Sequence, residues 1–253
     1  MTFDEQVALD QVIYDRIRDV GDWQRYFNHL HHRQKVYQGG EDGRVLCCAD
    51  DRLDIGGACV CAMGSLLLSD RSDTQRICQE AGITAIASHQ DCKALMPLWR
   101  RINGDIAPMT SDDFNAFVDW QTAQLAHSMG VAYAGQITHD RFRGPENQHA
   151  ARTIYYIGST QFNPRALPEG LPYGYAVSRC YRLFVNALAD VDTAIAMAMG
   201  FEGLGDRITS EQPITVLTIS GHEDSVPEEV LINEVTKLTS RYDGKVVIAS
   251  LVI

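Results

Sequence analysis

The feature that most constrains the fold lies between residues 44 and 102, where short apolar runs alternate with helical patterns. Arg44 to Cys48 reads as a short buried strand, and a second apolar strand is expected over residues 58–68. Asp73 to Ala81 reads as a helix that Gly82 ends. Ile83 to Ser88 is again a short buried strand, with His89 at its end, and Cys92 to Ile102 continues as helix. Strand–helix–strand–helix order is the mark of a parallel α/β sheet. Strands are also expected over 131–137, 153–158, 194–199, 214–219 and 245–253, and helices over 112–129, 178–188 and 227–242. Ser111 or Asp112 is the expected cap of the helix over 112–129. Residues 164–174 read as a turn-rich loop, and Gly39 to Gly43 as a turn. Residues 4–37 carry apolar positions at helical spacing, broken at Gly21-Asp22. The expectation is one α/β domain over 1–253, with a central, largely parallel sheet flanked by helices and a helical N-terminal arm over 1–40.

Composition narrows the function. The formal net charge is -11, which argues against nucleic acid or an anionic membrane as a main partner. No apolar run reaches the length of a membrane span. The start, MTFDEQVALD, lacks a basic segment followed by an apolar one. A reducing, cytoplasmic setting is therefore expected, with the seven cysteines as free thiols or metal ligands.

The chemistry concentrates in Cys48-Ala49-Asp50-Asp51-Arg52 and His89-Gln90-Asp91-Cys92. Each stretch stands where an expected strand runs out, the edge at which open parallel sheets bind ligands. Two thiolates and one imidazole suit zinc, and three protein ligands leave a fourth position for water. Spacing lets His89 and Cys92 face one side of a helix start, and Cys48, Asp50 and Arg52 one side of an extended chain. Asp50 can either close the metal site or pair with Arg52, whose planar fork matches a carboxylate.

Cys-x-Asp-x-Arg followed by His-x-x-Cys resembles the signature of β-carbonic anhydrases. The resemblance implies Cys48, His89 and Cys92 as Zn2+ ligands and Asp50–Arg52 as a catalytic dyad. It departs from the common pattern in three ways. The gap from Cys48 to His89 is short, Lys93 replaces the usual glycine, and Cys61-Ala62-Met63-Gly64-Ser65 stands where another conserved stretch is expected. These departures, with His149-Ala150-Ala151-Arg152, Leu171 to Tyr175 and Gly200 to Gly205, are similar to the LCIB-like branch, the low-CO2-inducible proteins of algae and their bacterial relatives. That branch implies hydration of CO2 to bicarbonate by zinc-bound hydroxide in a homodimer, with Gly64, His149 and Arg152 as substrate contacts. Two alternatives stay open: hydrolysis of COS or CS2 at the same site, and a zinc-binding protein without turnover.

Other signals read as packing or solvation. Cys47, Cys59 and Cys61 are expected in the core, and Cys78 and Cys180 in helices. His29, His31 and His32 read as a solvated helix end. Gly200, Gly203 and Gly205 lack a phosphate-loop ending and read as a tight turn.

Overall fold

The computed structural model describes residues 1–36, 43–55, 58–104, 110–145, 147–159, 161–167, 169–179, 184–221 and 226–253. Cys180 and residues 39–42 of the expected turn lie outside these.

The N-terminal arm is two helices, α1 (Phe3–Val20) and α2 (Trp23–His29). Thr2 and Glu5 close a reciprocal capping box at the start of α1, which satisfies two otherwise unpaired amides. The arm is docked along the molecule. Tyr14 Oη lies 2.7 Å from Thr153 Oγ1, and Tyr26 Oη donates to the Gly170 carbonyl.

Among the described residues, eight strands follow: β1 (Arg44–Cys47), β2 (Cys59–Cys61), β3 (Ile83–His89), β4 (Ala132–Ile137), β5 (Thr153–Ile157), β6 (Gly174–Ser178), β7 (Ile214–Ser220) and β8 (Val246–Val252). Five further helices alternate with them: α3 (Arg71–Glu80), α4 (Met96–Asn103), α5 (Ser111–Met129), α6 (Phe184–Met199) and α7 (Glu228–Thr239). The α/β architecture is present, but the expected single central sheet is two. One has the order β2-β1-β3-β4 and the other β6-β5-β7-β8, and every strand pair in both is parallel. The sheets adjoin along β2 and β6, where Cys61 N donates to Ser178 Oγ and Ala176 N to the Ala49 carbonyl. Gln24 of α2 pairs both backbone groups of Val252 and so caps the free edge of β8 at its last residue.

Several expected elements differ. The strand over 58–68 stops at Cys61, and a short 3-10 turn over Met63–Leu66 follows. Gly64, Ser65 and Leu66 there hold positive φ. Residues 194–199 are the last part of α6, not a strand. Val191, Ala194, Ile195 and Ala198 are fully buried at helical spacing, and a short apolar run alone does not separate a buried strand from a buried helix. The helix expected over 178–188 is strand β6 up to Ser178, with α6 beginning at Phe184. β6 begins at Gly174, the last residue of the expected loop, and fills residues 175–177, for which no element was expected. Thr110, rather than Ser111 or Asp112, caps α5 through a bond from Asp113 N. Among the described residues, no helix is long and apolar enough to cross a membrane.

Candidate metal centre

β1 and β3 are neighbours in the first sheet, so the segments leaving their C-terminal ends come together. Cys48 follows β1, His89 closes β3, and Cys92 stands one turn on, before α4. One ligand atom from each lies within 4.8 Å of the other two, and all three residues are buried. The Cys48 and Cys92 sulfurs are 3.8 Å apart. Tetrahedral zinc with Zn–S bonds of about 2.3 Å sets its sulfurs about 3.8 Å apart.

The histidine is held in a ligating posture. Its Nδ1 lies 2.7 Å from the Gln90 carbonyl, which makes Nδ1 the donor. Nε2 is therefore unprotonated in the neutral ring, and it is buried without a hydrogen-bond partner. A lone pair buried in this way is costly unless something accepts it, and a metal ion does. A backbone carbonyl that fixes the tautomer is a usual partner of a ligating histidine.

The sulfurs are tuned from two sides. A hydrogen bond from Cys92 holds the Cys48 thiol well below its ordinary range, against the cost of burial. The Gly64 amide also donates to Cys48 Sγ at 3.3 Å. That amide is presented by the tight turn after β2. Gly64 has φ 57°, and a Cβ there would stand 2.5 Å from Leu95, so a side chain would displace the turn. Gly64 thus touches a candidate ligand.

Asp50 turns toward Arg52. The guanidinium donates from Nε to Oδ1 at 3.0 Å and from Nη2 to Oδ2 at 2.8 Å, and Arg52 N adds a third bond to Oδ1. Both side chains are buried. Burial is the largest influence and would raise the Asp50 pKa, but the charge and hydrogen bonds of Arg52 together with the nearby His149 outweigh it and hold the carboxyl well below the usual range. Arg52 in turn stacks over Phe142, 4.9 Å from the ring centroid.

Of the other expected contacts, His149 joins this neighbourhood and Arg152 does not. His149 Nδ1 lies 2.6 Å from Asp51 Oδ1, and Asp50, Asp51 and His149 bring ligand atoms within 4.8 Å of one another. Burial opposes protonation of His149, yet the Asp51 and Asp50 carboxylates together lift its pKa above the ordinary value. The loop after α6 supports this residue, since His149 N donates to the Glu202 carbonyl. Gly203 lets that loop close, because a Cβ would meet the Met197 carbonyl at 2.2 Å. Arg152 instead stacks on Tyr14, 4.0 Å from the ring centroid, and lines a separate cavity beside α1 with Asp10.

A cavity of about 880 Å³ lies beside the centre. Its lining includes His149, Met63 next to Gly64, and Lys93 next to Cys92. Lys93 is paired with Glu202 at 2.5 Å. Asp190 also lines it and accepts from Met63 N at 2.8 Å. Burial raises the Asp190 pKa to about 7. Asp51 and Asp190 escaped the sequence reading, for their partners are 98 and 127 residues away in the chain. Their only local signals are a second Asp beside Asp50 and an Asp within the apolar α6.

Comparison of the chain with protein-family models, curated proteins and solved structures finds no match.

Proposed function

We propose that the protein is a zinc-dependent carbonic anhydrase of the β type, catalysing the reversible hydration of CO2 to bicarbonate and a proton. The observation that carries this reading is the unpartnered, buried Nε2 of His89 beside two cysteine sulfurs, with Asp50 held by Arg52. Cys48, His89 and Cys92 would hold the ion. Zinc in such a ligand set acidifies water and supplies hydroxide as a nucleophile near neutral pH.

The chain's residues do the rest. Arg52 occupies both Asp50 oxygens, which restrains the carboxylate from taking the fourth ligand position. The same carboxylate retains lone pairs with which to accept a hydrogen bond from an attacking O–H and fix its direction. Gly64 N stabilises the thiolate of Cys48. His149 borders the cavity and is oriented by Asp51, so it is placed to pass the released proton outward.

The test is a parallel assay of CO2, COS and CS2 on protein of measured zinc content. Faster turnover of CO2 supports the hydratase. Preference for COS or CS2 replaces it with a hydrolase on the same site, and zinc without turnover of any of them replaces it with a binding protein.

A further inference from the structure

One residue before Cys48, a second group of sulfurs converges. Cys47 of β1 is in register with Cys61 of β2, and Cys59 lies two positions from Cys61, on the same face of the strand. The Cys47 and Cys61 sulfurs are 3.6 Å apart, as are those of Cys59 and Cys61. All three thiols are buried, with their sulfurs within 4.8 Å of one another. By sequence alone these residues read as core packing, and nothing local connects Cys47 to the other two.

Arg165 makes simple packing a poor account. Its side chain is buried against the trio, with Nη1 3.5 Å from Cys61 Sγ and 3.7 Å from Cys47 Sγ. Nη2 donates to the Asp50 and Cys48 carbonyls, and Nε has no partner. Among the described residues, no carboxylate lies within ion-pair distance of this guanidinium. A desolvated charge costs several kcal/mol unless an anion offsets it, and the sulfurs beside Arg165 can supply one as thiolates.

We infer that Cys47, Cys59 and Cys61 form a second site for one soft divalent metal ion, with Arg165 as its counter-charge. Their spacing is close to the sulfur separation of about 3.8 Å that metal–sulfur bonds of about 2.3 Å require. Three thiolates around a divalent ion leave one negative charge, which Arg165 cancels. Soft thiolate ligands select ions such as zinc and cadmium over hard ones. The role is structural: Arg165 joins the trio to the backbone carbonyl of Asp50, so a metal there braces the loop that carries the dyad. This site is independent of the Cys48–His89–Cys92 reading.

The experiment is cadmium loading of the reduced full chain under anaerobic conditions, followed by metal analysis and cadmium-113 NMR. Two ions per chain are expected, giving two resonances, one of them in the all-sulfur range. Cys61→Ser should remove that resonance and one ion, while Cys48→Ser should remove the other and leave it in place. Should the variants fail to fold, the wild-type protein decides alone. One ion per chain with no all-sulfur resonance overturns the site, as does an all-sulfur resonance that survives Cys61→Ser.

Discussion

The two sheets are built alike and used differently. In the second, β5 pairs without a break over five residues with each neighbour, and β7 with β8 over seven. Its strands bury Tyr155, Tyr156, Tyr175 and Ile214 almost completely. In the first, strands are as short as three residues, and the register shifts between Arg44 and Val45 and between Ile86 and Ser88. Buried ionisable groups gather where its strands end: Cys48, Asp50, Asp51 and Arg52 after β1, His89 and Cys92 at β3. Continuous ladders consume backbone donors, whereas interrupted ones release them. The amides of Gly64 and Arg52 are free to bind a sulfur and a carboxylate because they lie outside any ladder. Irregularity in the first sheet is thus what makes a polar site affordable there, and regularity in the second is what holds the chain together.

That contrast breaks most visibly at Arg52. Arg52→Ala leaves Asp50 buried and unpaired, so thermal or denaturant unfolding should show a loss of about 3–5 kcal/mol. The same variant frees Asp50 to take a metal position, and CO2 hydration should fall on the order of a hundredfold at unchanged zinc content. In the second sheet, Leu217→Ala should cost about 2–4 kcal/mol through the cavity it opens. Metal stoichiometry should stay the same, and a drop would mean the sheets are not separable in function.

A smaller, pH-dependent effect is expected at the docked arm. Asp10 accepts from Gln6 and from Tyr173 N through Oδ1, while its Oδ2 is buried without a partner. Burial raises its pKa to about 7, against the pull of those bonds. The unfolded chain ionises this group near an ordinary carboxyl value of about 3.9. Asp10 therefore costs nothing at pH 3, and its penalty grows as pH rises and levels off above about 7. Asp10→Asn should gain on the order of 2 kcal/mol at pH 8 and nothing at pH 3. Equal gains at both would show that the carboxyl does not titrate with folding. The smallest effect is at the α5 cap, where Thr110→Ala should cost about 1 kcal/mol in unfolding experiments.

The legible part of the site is the part written locally. Cys48, Asp50 and Arg52 stand within five residues, as do His89 and Cys92, and each group sits at the end of a recognisable strand. Chemistry and position coincide there, so spacing sufficed. Arg165 was invisible because it reaches Asp50 from 115 residues away, out of a turn-rich loop. His149 and Arg152 share a motif but not a destination: one stands before β5 against Asp51, and the other leaves toward Tyr14. The division into two sheets was hidden for the same reason, since strand order is a property of long-range pairing. α6 was misread because its buried face is made of small and β-branched residues that suit either element.

The central claim is tested most directly by stopped-flow CO2 hydration on zinc-quantified protein beside Cys48→Ser. Hydration by the zinc-loaded wild type is expected, with the variant losing both the ion of the Cys48 site and the rate. Wild-type protein that holds zinc at Cys48, His89 and Cys92 yet stays inactive across pH would contradict the account.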